Sequence, residues 1–265
     1  AVVIDPQRDC DVYVKAAGEK RLRITHILET HRNEDYVTGS VELAALTGAQ
    51  ILHADGQLNI AFGSPAKDGD IIQVGRLKLR ALHTPGHTPG HMSYLLYDPD
   101  GNPWIVFTGD ALFAGDVGRT DFLGEDKLAE MTGLLYDTVF NKLLPLGDQV
   151  IVCPAHGAGS VCGAEIAERQ WTTIGLERLH NSRLRFNTKE EFIKTGQMLD
   201  RSPYFRKMEV LNVDGPPLLH HLPVPQPLSA SEFATAMPDS VVLDTRSEEE
   251  FGACHIPGSV FVPRE

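Results

Sequence analysis

The chain has 265 residues, of which 42% are hydrophobic and 23% are charged, so it can bury a full core and a smaller second unit. Its formal net charge is −12 and it has no lysine and arginine cluster, which argues against nucleic acid as a partner. No run of about 18 apolar residues predicts a transmembrane helix, and no signal peptide opens the chain. We therefore expect neither a nucleic acid nor a membrane as a partner.

The predicted elements mix strands, hairpins and helices. Ala1 to Pro6 is predicted as a strand that runs into a turn, and so abrupt a start suggests that further residues precede it. The elements predicted after it are a strand at 23–29, a helix at 37–46, a strand at 50–54, a hairpin at 70–74 and 77–82, a second hairpin at 92–97 and 103–108, a helix at 126–144, a strand at 149–153, a long helix at 164–180 and a helix that begins after Thr188. This pattern predicts a mixed α/β layered fold.

The composition changes after Asp214, where proline becomes too dense to continue a helix or a β-ladder. The prolines of this segment are Pro216, Pro217, Pro223, Pro225 and Pro227. We predict a first domain at 1–214, a linker at 215–227 and a second unit at 228–265. The second unit has a predicted helix at 229–237 and a predicted buried strand at 241–244. At about 38 residues it is below the size of an independent domain, so it is interpreted as a fragment.

The four cysteines, Cys10, Cys153, Cys162 and Cys254, lie far apart and form no Cys-x-x-Cys pair. A disulfide framework is not expected at this length and spacing, which favours a reducing cytoplasm as the location. Each cysteine is interpreted as a small buried hydrophobic residue. The sequence leaves the oligomeric state open, a homo-oligomer included.

Four polar residues stand where a predicted strand gives way to a loop with glycine or proline nearby: His31, His87, Asp110 and His156. Alone, each would more readily be a packed histidine or a turn-capping aspartate. Together they favour a metal site, because loops at rigid strand ends can bring distant ligands to one point. His31, His87 and Asp110 form the two-imidazole, one-carboxylate set typical of non-haem iron(II), which leaves positions open for O₂ and substrate.

The motifs in which these residues lie, at 84–88, 108–110 and 154–156, resemble the metallo-β-lactamase superfamily over about residues 1–215. The segments Gly-Arg-Thr-Asp-Phe at 118–122 and Asn-Ser-Arg-Leu at 181–184 resemble its persulfide dioxygenase branch. The tail, with Leu-Asp-Thr-Arg at 243–246 and His-Ile-Pro-Gly at 255–258, is similar to the start of a rhodanese domain. The resemblance implies an αββα metallo-β-lactamase sandwich followed by a partial α/β rhodanese-like segment.

The chain departs from the superfamily at residues 31–36. The usual motif, His-x-His-x-Asp-His, supplies two metal sites, whereas this chain has His-Arg-Asn-Glu-Asp-Tyr. Asn33 and Tyr36 are poor replacements for imidazole at a transition metal. A second metal would depend on Asp35, His156 and a shared Asp110, so we predict one Fe(II) per chain.

The resemblance implies a persulfide dioxygenase of sulfide detoxification, whose partners are O₂ and a small-molecule persulfide and whose products are sulfite and a thiol. The alternative is a zinc-dependent, glyoxalase II-like thioester hydrolase, which would use two metals. A third interpretation, a metal-free persulfide-binding protein, conflicts with the retained His31, His87 and Asp110. The thiol carrier stays open between glutathione, coenzyme A and another thiol, and this ligand set accepts zinc as well as iron.

Five further residues are expected to support the site. Arg119 and Arg183 are the candidates for binding the substrate, and the resemblance implies that Arg183 holds a carboxylate of glutathione. A structural ion pair for Arg119 and an exposed helix end for Arg183 are the alternatives. Asp35, Tyr36 and His156 are predicted to act beside the metal, with His156 hydrogen-bonding near it rather than ligating it. Relatives with Asp-Tyr after Pro-Ala-His have a further substrate contact that Gly157-Ala158 cannot make, which weakens the glutathione assignment.

Overall fold

A computed structural model describes residues 1–186, 188–222 and 224–262. Pro223 of the predicted linker and residues 263–265 of the predicted second unit lie outside the described residues. The chain divides into two compact units, at 1–220 and 221–265, and the division falls within the segment predicted as a linker.

Two β-sheets form the centre of the first unit. One is wholly parallel, in the order β1-β2-β3-β4, and the other has six strands in the order β10-β9-β8-β7-β6-β5, antiparallel except between β8 and β9. The strands are β1 (Val2–Ile4), β2 (His26–Leu28), β3 (Gln50–His53), β4 (Ser64–Pro65), β5 (Ile71–Val74), β6 (Leu77–His83), β7 (Met92–Tyr97), β8 (Pro103–Gly109), β9 (Ile151–Pro154) and β10 (Thr172–Thr173).

Helices accompany the two sheets of the first unit. They are α1 (Asp11–Glu19), α2 (Ser40–Thr47), α3 (Glu125–Tyr136), α4 (Ile174–His180), α5 (Lys189–Ile193) and α6 (Phe205–Asp214), and α3 continues as a π-helical segment, Asp137–Leu143, and a 3₁₀ turn, Leu144–Leu146. Further 3₁₀ turns are Ser182–Leu184, Leu219–His221 and Met237–Asp239.

Three apolar clusters define the layers. The first packs Cys10 and Leu43, on the side of α1 and α2, against Ile27 and Ile51 of the parallel sheet. The second lies between the two sheets, and the third packs the six-stranded sheet against α3 and its π-helical continuation. The order of layers is therefore helix, sheet, sheet, helix, which confirms the predicted αββα architecture.

Most predicted elements are present, and the long helix predicted at 164–180 is wrong in its first half. Residues 164–171 are not helical, and the helix is confined to α4, whose N-cap Thr173 accepts a hydrogen bond from the Leu176 N–H. The cause is the distant carboxylate of Asp116, which accepts the N–H groups of Ala164 and Glu165, both at 2.8 Å, and holds them in a loop. The sequence also did not predict α1 and α6.

The second unit contains α7 (Ala230–Ala236), α8 (Glu248–Ala253) and a parallel pair of short strands, β11 (Leu243–Asp244) and β12 (Val260–Phe261). The helix predicted at 229–237 is confirmed, with a capping box between Ser229 and Glu232. The strand predicted as buried is exposed, with Leu243 58% accessible. The interpretation of every cysteine as buried is likewise wrong for Cys254, which is exposed, and Cys153 is half-buried.

Among the described residues, no helix has the length and apolar composition needed to cross a membrane.

Candidate metal centre

His31, His87 and Asp110 meet at the ends of strands from both sheets. His31 follows β2 of the parallel sheet, whereas His87 and Asp110 follow β6 and β8 of the other sheet. All three side chains are buried, and one potential ligand atom from each lies within 4.8 Å of the others. Asp110 Oδ2 is 3.3 Å from His87 Nε2 and 3.7 Å from His31 Nε2. The structure thus brings the predicted ligand set together.

The tautomer of His31 is determined by a chain of hydrogen bonds. Thr30 Oγ1 donates its proton to Asp5 Oδ2 at 2.7 Å, so it accepts from His31 Nδ1–H at 2.9 Å. Asp5 Oδ1 also accepts the Thr30 N–H at 2.7 Å, which fixes the carboxylate. With its proton on Nδ1, His31 presents the Nε2 lone pair to the centre, as a metal ligand must.

His87 is oriented by a backbone carbonyl. Its Nδ1 lies 2.9 Å from the Arg119 carbonyl oxygen, which can only accept, so Nδ1 carries the proton and Nε2 the lone pair. The Phe122 ring meets the imidazole edge to face at 5.0 Å. Gly118 makes this arrangement possible, because a Cβ there would stand 1.8 Å from the Asp110 carbonyl oxygen.

Asp110 uses its two carboxylate oxygens differently. Oδ1 accepts a hydrogen bond from His156 Nδ1 at 2.7 Å, whereas Oδ2 is buried and has no hydrogen-bond partner among the described residues. His87 Nε2 is buried and unpartnered in the same way. Buried polar atoms are normally paired, so two unpaired atoms 3.3 Å apart fit a cation between them. The donor set suits iron(II) and zinc alike.

The backbone of Asp110 is held by His91, a buried histidine that does not face the metal position. The Asp110 N–H donates to His91 Nε2 at 3.0 Å, and the other ring nitrogen donates to Thr84 Oγ1 at 2.9 Å. Burial and the neighbouring His87 lower the pKa of His91 to about 3, so the ring stays neutral. Gly109 is required here, because its φ is +52° and a Cβ would lie 2.5 Å from His91 Nε2.

His156 lies beside the triad, between two carboxylates. Its Nδ1 contacts Asp110 and its Nε2 lies 3.1 Å from Asp35 Oδ2. Burial disfavours a charge on His156, but Asp110 and Asp35 outweigh that cost and raise its pKa to about 11. Burial likewise raises the pKa of Asp110, yet the imidazoles around it, His156 foremost, hold that pKa well below its usual range. In this geometry His156 donates to a member of the triad.

Asn33 and Tyr36 contribute no ligand to the triad. The Tyr36 hydroxyl donates to the Asp5 carbonyl at 3.5 Å, and burial raises the Tyr36 pKa well above its usual value. Asn33 is buried, and its backbone carbonyl accepts from the Asn212 side chain of α6 at 2.7 Å. The Tyr36 ring lies 6.3 Å from that of His156, so it lines the neighbourhood of the site.

Arg119 is 7% exposed, and all five of its guanidinium N–H groups donate to protein oxygens. Two go to the Asp121 carboxylate at 2.7 Å each, and the others to the carbonyls of Val161, Leu199 and Asp200. This pattern matches the ion pair that the sequence analysis left open. Arg119 thereby ties the segment that orients His87 to two other loops.

Arg183 lies on the wall of a cavity of about 290 Å³ whose lining also includes Gly118, Ser182 and Gln197. Its guanidinium lies over the Phe192 ring at 5.6 Å, and its Nε is 3.9 Å from Asp116 Oδ1, beyond hydrogen-bond distance. The Nε is buried and unpartnered among the described residues. Arg183 therefore keeps its Nε below the surface, near Asp116, while 29% of its side chain stays exposed at the cavity wall.

Sequence reasoning missed the roles of Asp5, Thr30 and Asn212, and it missed that Cys162 lies beside Asp35 and His156. Asp5 and Thr30 both follow a predicted strand, and Thr30 directly precedes His31, so a search at strand ends would have found them. Cys162 lies in a loop and Asn212 in an unpredicted helix, and no sequence pattern identified either residue.

A metallo-β-lactamase superfamily model matches residues 1–156, more than half of the chain, and the chain belongs to that superfamily. Persulfide dioxygenase ETHE1 of Bos taurus is 35% identical over 210 residues, which cover 76% of this chain and 72% of that protein. Hydroxyacylglutathione hydrolase GloC of Haemophilus influenzae is 29% identical over 202 residues, 68% of this chain and 85% of that protein. A crystal structure of a metallo-β-lactamase from Staphylococcus aureus superposes with a TM-score of 0.83 at 29% identity, covering 100% of this chain and 77% of that one.

Proposed function

We propose that the chain is a mononuclear non-haem iron persulfide dioxygenase. The observation that carries this proposal is the convergence of His31, His87 and Asp110, with His87 Nε2 and Asp110 Oδ2 buried and unpaired, beside positions 33 and 36 that hold no imidazole. A facial set of two histidines and one carboxylate suits oxygen activation. The similarity to persulfide dioxygenase ETHE1 points the same way.

The proposed reaction takes a persulfide, O₂ and one water to a thiol, sulfite and two protons. Iron(II), when bound, supplies open coordination positions and one-electron chemistry for oxygen. The chain's own residues keep both imidazoles in the ligand tautomer through Thr30 and the Arg119 carbonyl. The neutral His91 fixes the Asp110 backbone, and burial keeps bulk water from the three ligands.

We propose that Arg183 binds an anionic group of the thiol carrier at the cavity that it lines. The Arg183 side chain is 29% exposed and lies over Phe192 on the cavity wall, so the exposed part of its guanidinium is available for a carboxylate. Arg119 is proposed to act through its backbone carbonyl on His87 and through its ion pair, not through its guanidinium on the substrate. Comparing kcat/KM for persulfides of glutathione, coenzyme A and other thiols identifies the carrier.

A zinc-dependent thioester hydrolase is the second candidate function. Its support is the similarity to a hydroxyacylglutathione hydrolase and a second group of ligand-type side chains next to the triad, Asp35, His156 and Cys162. Such a hydrolase would use two metals to hold and activate hydroxide. The two candidates differ in metal content and in oxygen consumption.

Two measurements test the proposal. The first is elemental analysis of the chain purified without added metal, and the second is O₂ uptake with glutathione persulfide as the substrate. We expect about one iron per chain and oxygen consumption that yields sulfite. About two zinc ions per chain with hydrolysis of S-lactoylglutathione and no O₂ uptake would establish the hydrolase instead. His87→Ala is the control, because it removes a ligand without changing the cavity beside Arg183.

For the second unit we propose a rhodanese-like segment. The short parallel pair β11 and β12, with Asp244 and Arg246 paired at 2.6 Å, forms around the motifs that resemble a rhodanese. We propose a cytoplasmic location on the grounds of cysteine usage, and the four cysteines are free thiols.

A further inference from the structure

Asp55 is a buried aspartate with an uncommon backbone conformation close to the metal triad. It lies just beyond β3, which pairs in parallel with β2, the strand that leads to His31, and it is 3% exposed. Its φ is +53°, in the left-handed region that residues other than glycine rarely adopt. Aspartate tolerates this conformation better than most residues, but at a cost in free energy. Because such strained positions concentrate at functional sites, the contacts of Asp55 indicate its role.

The Asp55 carboxylate accepts hydrogen bonds from both loops that carry a histidine of the triad. Its Oδ2 accepts the N–H of Arg32, the residue directly after His31, at 2.8 Å. The hydroxyl of Thr88, the residue directly after His87, donates to Oδ1 at 3.0 Å and to Oδ2 at 3.1 Å. One carboxylate therefore joins the neighbours of two ligands that come from different sheets.

A pair of reciprocal hydrogen bonds also links Asp55 to the loop between β6 and β7. The Gly90 N–H donates to Asp55 Oδ1 at 2.9 Å, and the Asp55 N–H donates to the Gly90 carbonyl at 3.2 Å. Among the described residues, the structure gives Asp55 no hydrogen bond to His31, His87 or Asp110. Asp55 can therefore affect these three side chains only through the loops that it holds.

We propose that Asp55 is the positioning residue that sets the separation of His31 and His87, and this proposal rests on the metal centre of the proposed function. The Nε2 atoms of both histidines have to reach one cation, and a small shift of either loop would prevent this. A carboxylate can hold both loops because each of its oxygens accepts hydrogen bonds. An asparagine amide of the same shape accepts at one atom only, so it leaves an N–H of one loop unpaired.

Cobalt(II) tests this role, because its d–d absorption depends on the geometry of its ligands. The full chain, freed of other metals by a chelator, would be loaded with cobalt(II), and its affinity measured by chelator competition. The absorption that His87→Ala removes identifies the metal at the triad. We expect Asp55→Asn to bind this cobalt about 10- to 100-fold more weakly than the parent, with an altered absorption spectrum.

Two variants of Thr88 test the same contact from the other side. Thr88→Val keeps the shape of the side chain but removes the hydroxyl, so we expect weaker cobalt binding and an altered spectrum. Thr88→Ser keeps the hydroxyl and should behave as the parent. Asp55→Gly adopts the left-handed conformation without strain, so weaker cobalt binding in this variant is due to the missing carboxylate.

Glu177→Gln is the matched control for a role in stability alone. Glu177 is fully buried, and its carboxylate accepts from the Gly115 N–H, the Thr172 hydroxyl and the Asn181 side chain. None of these partners adjoins a metal ligand in the sequence. We expect a lower free energy of unfolding in urea for metal-free Glu177→Gln, with the cobalt affinity and the spectrum of the parent.

Three results would contradict the proposal, and they differ in what they leave standing. Parental cobalt affinity and spectrum in Asp55→Asn would overturn the role of Asp55 and leave the metal centre intact. An equal loss of affinity in Glu177→Gln would also overturn it, because affinity would then follow stability alone. A parent chain that binds no cobalt at the triad would overturn the metal centre and the role of Asp55 together. Oxygen uptake is not part of this test, so its outcome is separate from the choice between dioxygenase and hydrolase.

Discussion

His156 and His87 both contact Asp110, but they do so with different consequences for a metal. His87 faces Asp110 Oδ2 with an unpaired Nε2, whereas His156 donates to Oδ1. We predict that His87→Ala abolishes iron binding and that His156→Ala retains iron with about 10- to 100-fold weaker affinity. Iron content after dialysis at graded chelator concentrations measures this, with His26→Ala, remote from the triad, as the control. Equal loss of iron in both variants would show that the triad is assigned wrongly.

Arg183 lines the cavity with its side chain 29% exposed, and the structure gives it no contact with His31, His87 or Asp110. We predict that Arg183→Ala raises KM for an anionic persulfide by about 10- to 100-fold, since a charge-assisted hydrogen bond contributes about 1.5–3 kcal/mol. Iron content should stay at the parental value. Arg185→Ala, an exposed arginine two positions along the chain, is the matched control. Unchanged kinetics in Arg183→Ala would remove this residue from the substrate site.

Asp5 links stability to pH. Burial, partly offset by the hydrogen bonds from Thr30, raises its pKa from 3.8 to about 6. Between these values the folded chain keeps the Asp5 proton while the unfolded chain releases it, so the free energy of unfolding falls as pH rises, by about 3 kcal/mol in all. Urea unfolding of metal-free parent and Asp5→Asn at several pH values measures this. We expect the difference in free energy of unfolding between the parent and Asp5→Asn to change between about pH 4 and pH 6. A difference that stays constant over this pH range would contradict the raised pKa of Asp5.

At the scale of elements, α6 holds the loop that carries Asn33 and Tyr36. The Asn212 side chain donates to the carbonyls of both residues, at 2.7 and 2.8 Å, and accepts the Thr38 N–H at 2.9 Å. Two salt bridges between Glu34 and Arg201 and between Arg32 and Glu34 reinforce the same loop. The loop after His31 thus depends on a helix that lies far along the chain.

We predict that Asn212→Ala lowers the free energy of unfolding by about 2–4 kcal/mol, because three backbone groups, in two buried hydrogen bonds and one partly buried one, lose their partner. Iron affinity should fall as well, since the segment that begins at His31 loses its support. Chemical denaturation and chelator competition measure the two effects. Asn141→Ala, an exposed asparagine beside Asp137, is the control. A variant as stable as the parent would show that α6 does not hold this loop.

The elements that were predicted correctly are those with local causes. The turn at Asp98 to Gly101 is built by Asp98 itself, whose side chain accepts the N–H groups of Asp100 and Asn102. The two errors have causes that are remote in the sequence. The helix predicted over 164–171 is prevented by Asp116, which is 48 residues from Ala164. The missed contact joins Asn212 to Asn33, which are 179 residues apart. The metal ligands His31, His87 and Asp110 could be predicted because each follows a strand. Cys162 could not, because it lies in a loop that only the folded chain brings close to His156.

At the scale of the whole molecule, the triad joins the two sheets. His31 comes from the parallel sheet, whereas His87 and Asp110 come from the six-stranded sheet. Direct contacts already link the sheets here, because Met92 N–H donates to the Thr30 carbonyl at 2.7 Å and the Tyr94 hydroxyl to the Glu29 carbonyl at 2.9 Å. The site is therefore positioned by the sandwich itself and not by one mobile loop.

The second unit bears on whether this chain transfers sulfur as a rhodanese does. A rhodanese needs a cysteine thiolate in a loop whose backbone N–H groups stabilise the anion. Cys254, the cysteine of this unit, follows α8 in extended backbone, and its N–H donates to the Glu250 carbonyl at 3.2 Å instead of turning towards its own sulfur. We predict no thiocyanate formation from thiosulfate and cyanide by these 265 residues, with an active rhodanese as the positive control. Turnover that disappears in Cys254→Ser would show that this cysteine is catalytic and that the interpretation of the unit is wrong.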